Sequence, residues 1–416
     1  MAPGPDGTLF VSIPSSGGSV LALLDGSGGL RPGWPIIVKD STSCGRPLPV
    51  GGGSVRIICD GTDLPVYDND SSNVRAFAFD AGGRSMAGWP ITLRPGPAER
   101  LIGEQMTVVE EQILTDTADV GVTTSHVAWM TSIAADGTTR SGTKVPLVER
   151  CCSEEWAVGA DGIAYGSAFG GDGTEGSPEV SWITSIDGSG LRSGWPVRID
   201  GIASGPAFGP RGQIAVTVGS ANRTSSRVLV LNRGGKAVSA RSVQLPIQAA
   251  ESGVDCIVGA PKPPIIAPDG TTFVFSELDT AIFALDPTLQ LMPGWPFEPP
   301  SPLERPDPSR GEEGINCASL ALPAAGPDGT LYLPLLARSS KVGGNLLAVG
   351  PDGRVRAGWP VELTRAGSEF WSIAVGSDGT IYALAIEPEA GGASSASILA
   401  IEPDSTVRYT TTIIDP

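Results

Sequence analysis

The chain has 416 residues, 45 acidic against 28 basic, and a net charge of −17. That balance argues against nucleic-acid partners and against an anionic membrane face, both of which call for a Lys/Arg surface, and no apolar run reaches the length of about 18 residues that a membrane-spanning helix needs. Glycine (56) and proline (37) together exceed a fifth of the chain, yet they recur with a period, so they mark turns rather than disorder.

Met1-Ala2-Pro3-Gly4-Pro5 is no signal peptide and reads as the end of a strand, so the chain is expected to be trimmed at its front. From there one unit recurs: a short apolar strand, an Asp-Gly turn, a second apolar run, a polar break, then Gly-Trp-Pro and a further apolar run. Eight units of roughly 50 residues are read, the length of a four-stranded propeller blade. Their boundaries are set at 1–38, 39–93, 94–148, 149–199, 200–247, 248–298, 299–363 and 364–416, within one domain over 1–416.

The first unit has Pro5-Asp6-Gly7 and Trp34, and the second has Cys59-Asp60-Gly61 as its turn and Trp89. The third keeps Ala135-Asp136-Gly137 but has Gly142-Thr143-Lys144-Val145-Pro146 in place of the Trp motif. The fourth carries Ala160-Asp161-Gly162 and Trp195. The fifth carries Pro210-Arg211-Gly212 and no Trp. The sixth has Pro268-Asp269-Gly270 and Trp295, the seventh Pro327-Asp328-Gly329 and Trp359, and the eighth Ser377-Asp378-Gly379. The fold class is all-β, an eight-bladed propeller of four-stranded antiparallel blades (A to D). Merging the third or fifth unit into a neighbour would leave seven. In the seventh unit strand A is expected near 320–325, B at 330–335, C at 345–349 and D near 355–363.

Five of the nine tryptophans, Trp34, Trp89, Trp195, Trp295 and Trp359, hold one repeat position, in strand D. A ligand needs one site, whereas packing needs one indole per blade, so these five are assigned to the joints between blades. The A-to-B and C-to-D turns share one face. The opposite face carries the loops of variable length, and binding residues are expected there.

The units from Ala78-Phe79-Asp80 to Trp89 and from Ser185-Ile186-Asp187 to Trp195 resemble the tryptophan-docking repeats of quinoprotein alcohol dehydrogenases and their non-catalytic bacterial relatives, the PQQ-like propellers. The resemblance covers five units well and all eight loosely. It implies eight blades and, in the enzymes of that group, pyrroloquinoline quinone and Ca²⁺ in the channel with a disulfide between adjacent cysteines, which Cys151-Cys152 would match. The long insertions of those enzymes are missing here. The non-catalytic branch is therefore the one resembled, and no cofactor is expected, although an acidic rim would suit Ca²⁺.

Six cysteines contain no CxxC, and with a single histidine they form no zinc site; no metal site is assigned. Cys256 and Cys317 precede the turns of adjacent blades and are candidates for a bridge, as are Cys151 and Cys152 for a vicinal one. Cys44 and Cys59 are read on opposite faces and are not expected to pair. Bridged loops would fit an extracellular, periplasmic or cell-surface location.

His126 is the only histidine, so no multi-His metal centre can form, and it reads as a strand residue rather than a general base. No catalytic residue is assigned. Ser153-Glu154-Glu155-Trp156 and Ser368-Glu369-Phe370-Trp371 both lead into a strand A, with Trp five and seven residues before the turn Asp. They are expected to set carboxylates and indoles across the channel mouth from each other, with Asp255, Glu312 and Glu313 arriving at equivalent places. Such a rim suits a cation, an amine or a sugar ring. The expected function is non-catalytic binding of a protein partner, small molecule or sugar by a monomer. The alternatives are a quinone- and calcium-dependent oxidoreductase and a carbohydrate-binding or carbohydrate-active propeller.

Overall fold

The Asp-Gly turns ahead of strand B in the fourth, sixth, seventh and eighth blades close a hairpin in the same way. In Gly326 to Thr330 the Gly326 N–H donates to the Thr330 carbonyl at 2.8 Å and the Gly329 N–H to the Gly326 carbonyl at 3.2 Å. Gly329 sits at φ +75, a conformation that costs other residues a Cβ clash. The Asp328 carboxylate accepts the Thr330 N–H at 3.1 Å. Repeated along the chain, these turns fold consecutive apolar runs into antiparallel meanders.

The computed structural model describes residues 1–4, 6–15, 17–39, 41–61, 74–94, 98–102, 105–118, 121–147, 155–170, 180–219, 226–243, 261–275, 281–300, 323–335, 343–388 and 394–413. Among them there is no helix. Eight antiparallel sheets follow one another, the blades of an eight-bladed β-propeller, each with its strands side by side in chain order. Four blades lie in the unit Met1–Ile199 and four in the unit Asp200–Ile414. The third and fifth units each form a sheet of their own, so the seven-blade alternative does not hold. In the seventh blade the strands are Ala324–Ala325, Leu331–Leu335, Asn345–Val349 and Val361–Glu362. In the sixth, the fourth edge is supplied by the bridges Leu285 to Leu291 and Ile282 to Phe297.

Apolar side chains of neighbouring blades interlock within each unit. Phe10, Leu21 and Leu23 of the first blade meet Val55, Ile57 and Phe79 of the second. Tyr332, Leu346 and Ala348 of the seventh meet Phe370, Ile381 and Ala383 of the eighth.

Two turns lie elsewhere than the sequence reading put them. In the second blade the A-to-B turn is Gly51-Gly52-Gly53, and Asp60-Gly61 continues the strand Ser54–Gly61. Ser41–Cys44 pairs with that strand, Cys44 opposite Cys59. The two cysteines form a disulfide with S–S 2.00 Å, which corrects their assignment to opposite faces. In the third blade Ala135-Asp136-Gly137 is the C-to-D turn, since it joins Gly121–Ile133 to Thr139–Ser141.

Candidate functional site

The Gly-Trp-Pro tryptophan is held from both sides. Arg31-Pro32-Gly33-Trp34 is a turn in which the Trp34 N–H donates to the Arg31 carbonyl at 3.0 Å, with Gly33 at φ +90, the positive-φ position of a type II turn. The turn interrupts strand D, so the tryptophan precedes the final strand pair rather than lying inside it, and its bond to Pro35 is cis, as at the four other copies. The indole then reaches the next blade: Nε1 of Trp34 donates to the Ala81 carbonyl at 3.0 Å. Trp89 reaches Ala135 at 3.2 Å, Trp295 reaches Pro351 at 3.0 Å and Trp359 reaches Pro403 at 3.3 Å. Each acceptor is the second residue of a C-to-D turn. The glycine before the indole leans on the same turn, where a Cβ on Gly33 would overlap the Gly82 carbonyl and one on Gly294 the Asp352 carbonyl.

Within its own blade each indole meets the second residue of strand B: Phe10 with Trp34 at 5.9 Å, Tyr165 with Trp195 at 5.5 Å, Phe273 with Trp295 at 5.5 Å and Tyr332 with Trp359 at 5.5 Å. In the second blade the equivalent residue is Arg56, third in its strand but opposite Ala78 as Phe10 is opposite Leu23, and its guanidinium lies 5.5 Å from the Trp89 ring centroid. Arg56 is only 2 % exposed; a cation over the π face takes the place of the edge-on aromatic. All five indoles are buried, which leaves no face for a ligand.

Glu154, Asp255, Glu312, Glu313, Cys151, Cys152, Cys256 and Cys317 lie outside the described residues, and Glu155 is described in its backbone alone. The other three predicted residues have different environments. Trp156 is 7 % exposed and packs with Val109, Ala128 and Met130 of the third blade. Its ring lies flat over Gly166, where a Cβ would come within 2.6 Å of it. Trp156 is therefore a core residue and not an exposed platform.

Trp371, in the unit Asp200–Ile414, is 49 % exposed. In strand A of the eighth blade, Phe370 pairs with Ala385 and Ser372 with Leu384, so Trp371 is the extra residue of a β-bulge. A bulge re-aims one side chain. Phe370 turns into the core against Tyr332 and Trp359, and Trp371 turns out. Glu369, two positions before, is half-buried. Across the strand pair, Arg365 and Glu387 form an ion pair at 3.9 Å. Of the nine tryptophans, all are described and Trp371 alone is exposed.

One buried acid escaped the sequence reading. Glu110 of the third blade is buried and accepts from Trp129 Nε1 at 3.0 Å, from the Arg94 N–H at 2.8 Å and from the Thr131 hydroxyl. Lys144 Nζ sits 4.5 Å from the Trp129 ring centroid. Three donors satisfy the carboxylate and tie the third blade to the end of the second blade's strand Ile91–Leu93. Its signal was an acid at a position where Met106 and Val108 continue an inward-facing apolar alternation.

The turn carboxylates are satisfied within their own blades. The Thr8 hydroxyl holds Asp6 below the usual carboxylate range, and the Ser27 hydroxyl and N–H do the same for Asp25. At Asp328 burial pushes the carboxyl up, but hydrogen bonds from Arg356 and Thr330 outweigh it; Arg356 Nη1 lies 2.6 Å from Asp328. Burial, with the Asp328 charge adding to it, pushes the neighbouring Tyr332 phenol up to about 12. In the fifth blade Val238 stands where the first, third, fourth, seventh and eighth blades have an arginine and the second and sixth a methionine, beside an open depression of about 440 Å³ lined by Arg211, Gln213 and Arg233.

No protein-family model matches the chain, and no curated protein matches it. Among solved structures it is similar to streptogramin B lyase, at 12 % identity over 90 % of this chain and 94 % of that one, with a TM-score of 0.44. It is also similar to a 6-phosphogluconolactonase-like protein from Bacteroides uniformis, at 14 % identity over 87 % and 97 %, with a TM-score of 0.48. A third similar structure, described as the eukaryotic initiation factor, has 11 % identity over 96 % and 94 % and a TM-score of 0.47. The first two are β-propeller proteins. The likeness is one of fold alone.

Proposed function

We propose that this chain is a non-catalytic binding propeller of the PQQ-like repeat type, working outside the cytoplasm, with its ligand or partner docking on the bulge of the eighth blade. The observation that carries this reading is Trp371, an indole 49 % exposed on a rigid strand, where the packing role of the other tryptophans does not apply. An indole face recognises a sugar ring or an organic cation, and the half-buried Glu369 beside it favours the cation. The Cys44 to Cys59 disulfide supports an oxidising compartment. The reading requires no cofactor.

Titration with tetramethylammonium and with methyl β-glucoside, followed through the indole N–H resonances, tests the site. The expected result is a saturable shift of the Trp371 resonance with one probe, lost in Trp371→Ala; Glu369→Gln weakens only the cation. A Trp371 resonance unmoved by either probe would overturn the site. Dye-linked alcohol oxidation after reconstitution with pyrroloquinoline quinone and Ca²⁺ would overturn the non-catalytic reading.

A further inference from the structure

The third blade departs from the repeat in the length of its central hairpin. Its strands Gln105–Ala118 and Gly121–Ile133 have 14 and 13 residues, whereas strand B of the other blades has between 4 and 8. They pair without a bulge from Met106 opposite Ile133 to Ala118 opposite Gly121. The neighbouring strands stop early. Ala98–Ile102 covers Gln105 to Val109, and on the other side the last pairing is Val127 with Pro146. From Ile113 and His126 outward the hairpin has two strands only, among the described residues, an extension of about 20 Å at the usual rise per residue.

A two-stranded ribbon in water is marginally stable, and its edges present unpaired N–H and C=O groups. Natural edges are blunted by proline, lysine, bulges or shortness. Residues 110–133 contain no Pro, Lys or Arg, and the register is unbroken. Pro95 and Pro97 precede Ala98 in the sequence, and prolines have no N–H with which to prolong the ladder. The charged residues of the paired strands beyond Glu110 are Glu111 and Asp116, both acidic, on a chain of net charge −17. A second copy of the chain would set acid against acid.

We propose that the outer edge of the strand Gln105–Ala118, from Glu111 to Ala118, is a docking edge for an extended, Lys/Arg-bearing segment of a partner protein, added as a further strand. Main-chain hydrogen bonds supply the affinity and the acidic ribbon selects the charge of the partner. This edge is separate from Trp371, so each site stands or falls alone.

The probe is a fluorescein-labelled octapeptide of alternating Lys and Val, read by anisotropy, beside a control of equal charge with Pro in place of Val. The full chain is expected to bind the first, less tightly as salt rises, and to leave the second free, because proline removes the pairing N–H groups. Replacing 113–126 by Asn-Gly, a two-residue hairpin turn, should lower affinity at least about tenfold with an unchanged unfolding midpoint. Should that variant fail to fold, the double variant Glu111→Lys with Asp116→Lys is to lose the basic peptide and gain the matching Glu-Val one. Equal binding of the two basic peptides, or undiminished binding by the trimmed chain or the charge-reversed variant, would overturn the proposal. So would a dimer in sedimentation velocity that trimming converts to monomer, since a second copy would then fill the edge.

Discussion

Leu289 and Gly353 hold the same place in the C-to-D turns of the sixth and seventh blades, both at positive φ, 62 and 73. Gly353 faces the Gly-Trp-Pro glycine of the blade before it, and a Cβ there would overlap the Gly294 carbonyl. The fifth blade has no such motif, and Leu289 enters the space, 5 % exposed, against Ala215, Val228 and Val230. A leucine from the following blade fills what the missing indole leaves. Gly353→Ala is accordingly expected to destabilise by more than about 1 kcal/mol through backbone overlap and strain, and Leu289→Ala by about 2 to 5 kcal/mol through cavity formation. Urea midpoints decide; a neutral Gly353→Ala would contradict the close approach.

Trp295→Ala removes a buried ring and the donor to Pro351, and a loss of about 3 to 5 kcal/mol is expected. Trp371→Ala removes an exposed one and should change stability by less than about 0.5 kcal/mol. The same unfolding measurement on both variants separates a joint from a surface.

The Cys44 to Cys59 bridge closes a loop with sequence separation 15, for which chain entropy gives about 3 kcal/mol. Double substitution to Ala should lower the unfolding midpoint under oxidising conditions. An unchanged midpoint would mean that the strand pairing alone fixes this edge.

The turn carboxylates set the acid limit. Asp6, Asp25, Asp136, Asp187, Asp328, Asp378 and Asp404 are all held below the ordinary carboxylate range in the folded chain. A group depressed in this way contributes stability that is present above its unfolded pKa of about 3.9 and lost as pH falls through the folded one. Stability should therefore hold from neutral pH to about 4 and decline below it. At Asp378, burial pushes up while the Thr380 N–H and hydroxyl pull down and win. Asp378→Asn should flatten the acid limb; a limb unchanged in that variant would remove the turn from the account.

The repeat was legible because its marks are chemical necessities: glycine for positive φ, aspartate to cap the turn, one indole per joint. Register was harder. Trp156 and Trp371 look alike in their Ser-Glu-x-Trp settings, but counted back from their turns Trp156 matches Ile373, since Trp156 pairs with Gly166 and Ile373 with Ala383. Two residues preserve facing along a strand, so both tryptophans would face alike but for the bulge at Trp371, which no local sequence signal announces. Cys44 and Cys59 were misplaced for a related reason. Asp60-Gly61 has the look of a turn, but Gly51-Gly52-Gly53 makes it eight residues earlier, and the pairing that opposes the two cysteines follows from that shift. Glu110 was passed over because a lone acid in an apolar alternation reads as a loop residue until its three donors are seen.

Hydrogen exchange at the nine indole N–H groups, assigned through single Trp→Phe variants, tests most directly whether the Gly-Trp-Pro motif is a joint and Trp371 the surface. Trp34, Trp89, Trp295 and Trp359 donate to the next blade and should exchange only on unfolding, with Trp371 the fastest of the set. Gly-Trp-Pro indoles exchanging as fast as Trp371 would contradict the account.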